Sequence, residues 1–264
     1  ALAHPTLLNR ESTSADNSVW YDTAVPTVDI LDVAPDPRNL PVALISIVFS
    51  EPVVGFDTTD LTLTRDGGPD LLTGSEPLTT ADDVTWTLGA LSSLTDVDGT
   101  YTLTVAVSDI EDVVGRPLAG SANETWLMDT EAPTVDVVDV APDPRRTPVN
   151  LVQIVFTEPV LHFGVADLRL TRDGGSNLLT GTESLVTSDS KTWALNSLVL
   201  TALGGSYTLA VNVSDITDQT GNPLEAGASD SWVMDLVAPT VTSVTPMGNA
   251  NTNAAEVQFK VMFS

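Results

Sequence analysis

The sequence of 264 residues contains no cysteine, so it has no disulfide, no thiolate metal site and no cysteine nucleophile. Basic residues are scarce: 10 lysines and arginines face 36 aspartates and glutamates, a formal net charge of −26. A surface of that sign repels phosphate backbones and anionic lipid, which argues against nucleic acid or membrane as a partner. It suits high salt, divalent cations or simple solubility. Aromatics make up only 5% of the residues. No apolar run approaches the roughly 18 to 20 residues that a membrane helix needs, so no membrane insertion is expected in this segment. The longest run, at 42–49, has the length of a strand. A sustained helical period is missing, as are the GxSxG, HExxH, P-loop and dinucleotide-binding signatures. The two histidines, His4 and His162, do not recur between equivalent positions: the counterpart of His162 is Gly55. An enzyme is therefore not expected.

What the chain does have is repetition. LDVAPDPRNLPVALISIVFSEPV from Leu31 returns as VDVAPDPRRTPVNLVQIVFTEPV from Val138. LTLTRDGG (61–68) returns as LRLTRDGG (168–175), and GTYTLTVAVSDI (99–110) as GSYTLAVNVSDI (205–216). A fixed period near 106 residues is one domain copied in tandem. The expected organisation is 1–23 as the end of a preceding partial repeat, 24–130 as repeat 1, 131–236 as repeat 2 and 237–264 as the first strands of a third. The chain begins with Ala1 and shows no signal peptide, so it reads as a mature or partial chain cut from a longer array. The charge is spread over both repeats: residues 24–130 hold 18 acids and 3 bases, residues 131–236 hold 14 and 5.

Short runs rich in Val, Thr, Ile, Leu and Tyr, punctuated by Pro, Gly and Asp, read as strands. In repeat 1 they fall at 27–33, 43–50, 60–65, 70–74, 84–90, 100–108 and 123–128. Seven strands in about 105 residues predict an all-β fold of tandem immunoglobulin-like β-sandwiches in a linear array. In 101–107 the alternation puts Tyr101, Leu103, Val105 and Val107 on one face. The prolines of APDPR (34–38, 141–145) demand a loop, and RDGG (65–68, 172–175) supplies a tight turn. Tyr101 and Tyr207 open the sixth strand, where a tyrosine corner would hydrogen-bond back to the backbone. The other recurring aromatics, Phe49, Phe56, Trp86 and Trp126 with their counterparts, read as core rather than as a sugar-binding platform.

Two acidic clusters recur and could supply hard oxygens to calcium, which takes six to eight of them. One is the loop after the sixth strand, with Asp109 and Asp112 in repeat 1 and Asp215 and Asp218 in repeat 2. The other is the junction: Asp22, Asp129 with Glu131, and Asp235, each shortly before a proline. The competing reading is that these aspartates only shape turns and end strands.

From about residue 17 onward the chain resembles bacterial Ig-like repeat modules of the Big type. The resemblance rests on the APTV start, IVFSEPV, the DLTLTRDGG segment, GTYTLTV and the SDITDQTGNP loop. It implies an Ig-like fold, tandem arrays in secreted or cell-surface proteins, and calcium at junctions near an Asp-Thr-x-x-Pro segment. Residues 129–133 and 22–26 fit that segment, whereas 235–239 depart from it at Leu236. The Gly-Asn pair of the loop is present as Gly221 and Asn222 but is Gly115 and Arg116 in repeat 1, which sets a positive charge against a cation there. The function so implied is a non-catalytic extracellular rod, stalk or filament at the bacterial cell surface. Its partners would be neighbouring Ig-like repeats and further copies assembled into a fibre or surface layer. The alternative is an adhesin or a carbohydrate-binding accessory module.

Overall fold

The computed structural model describes residues 21–107, 109–196, 198–248 and 255–264. His4 and residues 1–20, expected to hold the end of a preceding repeat, lie outside them. The described residues divide into two compact units: those within 21–133 together with 217–223, and those within 134–216 and 224–264.

The first unit contains β1 (Val28–Ile30), β2 (Ile45–Phe49), β3 (Val53–Val54), β4 (Leu61–Arg65), β5 (Leu78–Thr80), β6 (Thr85–Leu88), β7 (Gly99–Val105), β8 (Glu111–Asp112) and β9 (Ala122–Met128). One sheet has the order β1-β2-β6-β5, the other β4-β7-β9, and β3 pairs with β8. Every named strand pair is antiparallel. Four strands ordered first, second, fifth, fourth against three ordered third, sixth, seventh is the arrangement of a constant-type immunoglobulin sandwich. The second unit repeats it with β10 (Val135–Val137), β11 (Leu151–Phe156), β12 (Val160–Leu161), β13 (Leu168–Arg172), β14 (Ser184–Thr187), β15 (Thr192–Asn196), β16 (Gly205–Val211) and β18 (Ser229–Met234), whereas β17 (Thr217–Asp218) falls within residues 217–223 of the first unit. Its sheets are ordered β10-β11-β15-β14 and β13-β16-β18. The chain is thus all-β, a tandem of Ig-like sandwiches.

Period-two alternation builds each core. Ile45, Ile47 and Phe49 on β2 and Tyr101, Leu103 and Val105 on β7 all point inward and are buried. Trp126 and Tyr101 stack with ring centroids 5.5 Å apart, and Phe56 meets both Phe49 and Trp86 edge-on. Trp232, Tyr207, Phe156, Phe163 and Trp193 repeat the arrangement. Each large side chain so buried contributes roughly 1.5–3 kcal/mol. The tyrosine corner is present twice: Tyr101 donates its hydroxyl to the Val97 carbonyl at 2.7 Å, and Tyr207 to that of Leu203 at 2.9 Å. Asp66 and Gly67, then Asp173 and Gly174, take positive φ in the RDGG turns.

Two expectations need correction, and one pairing was missed. Residues 70–74 form no strand: Asp70 makes an isolated antiparallel bridge to Thr64 and the residues after it are irregular. Asp70 accepts from the amides of Leu63 and Leu72, which folds the chain back before the real fourth strand at 78–80. Strand β7 ends at Val105, so Val107 is exposed and does not join the inward face. The short β3–β8 pair was not anticipated, because two-residue strands carry no readable period.

The second unit also holds a hairpin, β19 (Val241–Pro246) with β20 (Phe259–Phe263). Val241 faces Phe263 as Val28 faces Phe49 and Val135 faces Phe156. The first-and-second-strand pairing therefore occurs a third time, here with Phe259, Val261 and Phe263 exposed. Among the described residues no helix is long and apolar enough to cross a membrane.

Candidate metal centre

The three junction aspartates share one local geometry. Asp22, Asp129 and Asp235 each accept, through Oδ1, the amide two residues on, at 2.8, 3.0 and 2.9 Å. This is an Asx turn, the behaviour that a short carboxylate before a proline favours. Asp129 and Asp235 also end strands, donating their amides to the carbonyls of Arg38 and Arg145. Both turn and strand-end roles are therefore real, and any ligand role is additional to them.

Asp109 and Asp215 are exposed. The Asp109 carbonyl packs against Gly55, and Asp215 accepts a hydroxyl hydrogen bond from Ser214. Glu131 and Asp235 are exposed as well. Asp112 and Asp218 differ from all of these: each is 1% exposed.

In the first unit Asp22 and Asp112 come together with Glu51, their nearest ligand oxygens all within 4.8 Å of one another. Glu51 was not expected from sequence. It opens the strand-stopping EPV segment, and the available signal was that an acid recurs there, at Glu158. Asp112 Oδ1 accepts the amides of Val114 at 2.8 Å and Arg116 at 2.9 Å. Asp112 Oδ2 is buried and has no hydrogen-bond partner. Burial, reinforced by the neighbouring charges of Asp22 and Asp112, raises the carboxyl pKa of Glu51, while Arg116 pulls the other way. Arg116 does not ion-pair with the group. It donates instead to the carbonyl of Asp22 at 2.6 Å. Among the described residues the ion pairs are Arg65–Asp66 and Arg172–Asp173.

The loop 217–223 has the same frame, with Thr220 in place of Val114 and Asn222 in place of Arg116. Asp218 Oδ1 accepts from the amides of Thr220, Gly221 and Asn222 and from the Thr220 hydroxyl, at 2.7–2.8 Å. The Asn222 amide donates to Asp218 Oδ2 at 2.8 Å and to the Asp129 carbonyl at 3.0 Å. Burial opposes ionisation of Asp218, yet the bonds from Thr220, Asn222 and Gly221 hold its pKa below the usual value. Asn222 thus makes the same link to a junction carbonyl that Arg116 makes, and also satisfies the oxygen that Arg116 leaves bare.

The residues of the first unit fit a hard divalent ion on chemical grounds. The donors are all oxygen, Glu51 and Asp112 are more than nine-tenths buried, and one buried oxygen lacks a partner. An unpaired buried carboxylate oxygen costs about 1–3 kcal/mol or more, so it is an unusual thing for a fold to leave.

No family model matches the chain, and no curated protein matches it. Among solved structures it is similar to the I-band fragment I67-I69 from titin, at 15% identity, a TM-score of 0.37, and coverage of 80% of this chain and 66% of that one. It is also similar to the N-terminal part of the bacterial S-layer protein SbsC, at 14% identity, TM-score 0.28, and coverage of 80% and 44%. A fragment of alpha-2-macroglobulin from Escherichia coli matches at 13% identity and TM-score 0.29, covering 86% of this chain and 75% of that one. Likeness at that level carries no argument about activity; the fold rests on the strand order described above.

Proposed function

We propose that this chain is a stretch of non-catalytic structural repeat from a bacterial cell-surface rod, stalk or filament of the Big-type kind, with its modules serving to carry load and spacing. The observation that carries this reading is how the first and last segments of each module are joined. Residues 33–38 run parallel to β9. Val33 donates to Glu124, Leu127 to the Asp36 side chain, Arg38 to the Leu127 carbonyl and Asp129 to the Arg38 carbonyl, all at 2.8–2.9 Å. Arg38 and Met128 form a parallel bridge. The second module repeats every bond with Val140, Asp230, Val233, Asp143, Arg145 and Asp235.

A chain pulled from both ends loads such a parallel pair in shear. All four bonds must then fail together, whereas a zipper opens one bond at a time. The APDPR loop, with an acid on one side and an arginine whose backbone joins the last strand on the other, supplies this clamp twice. Calcium held by the acidic junction residues is the second part of the reading, and it would add rigidity where modules follow one another.

Thermal unfolding in calcium and in EGTA tests the cation part. The midpoint rises with calcium; an unchanged midpoint removes that part and leaves the clamp. Asp36→Ala and Asp143→Ala test the clamp by lowering the unfolding force of their own module while the other module keeps its force.

A further inference from the structure

We propose that Asp22, Glu51 and Asp112 form a hard divalent-cation site whose affinity is set by Arg116, a tethered cation that competes with the ion. The inference rests on the cation part of the proposed function and specifies where, and how strongly, an ion is held. Three observations carry it. Three carboxylates from separate segments converge to within 4.8 Å. Of these, Glu51 at 8% and Asp112 at 1% exposure are screened from water. Asp112 Oδ2 has no partner, although Oδ1 of the same group has two. Three such acids, if ionised without a counter-charge, repel one another in a low dielectric.

Arg116 supplies one positive charge nearby. Its guanidinium donates to the carbonyl of Asp22, which holds that charge beside the group to which Asp22 belongs. The ion class follows from the donors. Carboxylates are hard ligands, and calcium accepts irregular sets of six to eight oxygens completed by carbonyls and water. Two charges of the ion against one fixed guanidinium means that Arg116 weakens binding without abolishing it. Asn222, the corresponding residue of the other repeat, shows the neutral alternative that still reaches a junction carbonyl.

The test is calcium titration calorimetry on the full chain and on Glu51→Gln and Arg116→Asn variants, with unfolding in EGTA to show that each is folded. Arg116→Gln replaces Arg116→Asn if the latter does not fold. The expected result is at least a tenfold loss of affinity, or one ion fewer per chain, for Glu51→Gln. For Arg116→Asn the expected result is at least a tenfold gain. If calcium binds but both variants bind as wild type does, this inference is overturned while the cation part of the proposed function stands. If no protein takes up calcium at millimolar concentration, both fall.

Discussion

The loops 109–117 and 215–223 are built on one plan, and two positions separate their chemistry: Arg116 stands where the other repeat has Asn222, and Val114 where it has Thr220. Each places a buried aspartate where the backbone can turn around it, and each reaches back to the carbonyl of a junction aspartate, Asp22 or Asp129. With Asn222 at the reaching position the buried aspartate has both oxygens satisfied from within the chain. With Arg116 there, one oxygen is left bare. The lesson is that a frame can be kept while its electrostatic balance is moved from internal hydrogen bonds to an external charge. A neutral donor closes the site on itself, and a long cation props it open.

Breaking that comparison at its centre gives the largest effect. Asp218→Ala removes five hydrogen bonds to a buried carboxylate and is expected to cost about 3–4 kcal/mol, against about 1–2 kcal/mol for Asp112→Ala, which loses two and also deletes the unpaired oxygen. Urea unfolding of the two variants measures the difference, and equal losses would refute the contrast. Next in size is Gly55→Ala. Gly55 has φ +87, and an added Cβ would stand 2.4 Å from the Asp109 carbonyl, so a loss of about 1–3 kcal/mol is expected. His162 holds the same place in the other repeat at φ +66, so His162→Gly should leave stability unchanged or raise it by less than about 1 kcal/mol. The same unfolding assay reads both.

The smallest effect is one that should not distinguish the repeats. Glu76 and Glu183 are opposed by burial, but amides and hydroxyls of Thr73 and Gly74, or Thr180 and Gly181, hold their pKa below the usual 4.5. A carboxyl depressed in the folded state lends stability that is present above its unfolded pKa and is lost as the pH falls through the folded value. Glu76→Gln and Glu183→Gln should therefore each cost about 1 kcal/mol at pH 7. That cost should fade below pH 4. Unfolding midpoints followed from pH 7 to pH 3 check it, and a cost independent of pH would contradict it.

Much of the fold could be read from the sequence because repetition exposed it. Tyr101 and Tyr207 were identifiable as corners because both stand just after an Asp/Gly turn at the start of a strand. The strand expected at 70–74 failed because LeuLeuThr looks like a strand to a composition rule, while Asp70 binds the backbone on both sides of it. The acidic site was only half visible. Asp22 and Asp112 stood out in acidic, turn-rich segments. Glu51, next to Pro52, looked like a strand terminator, and its approach to the other two depends on the β3–β8 pairing that brings residues 53 and 112 side by side. No local pattern records such a pairing. The parallel clamp was hidden for the same reason: Asp36 and Leu127 are 91 residues apart.

On the proposed function, each module bears load through its parallel shear clamp. Pulling the chain from its two ends at constant velocity tests it most directly. Two force peaks of similar height are expected, each releasing roughly 300 Å, the extended length of about 100 residues less the span of the folded module. Extension without resolved peaks, or peaks unaltered by Asp36→Ala and Asp143→Ala together, would contradict it.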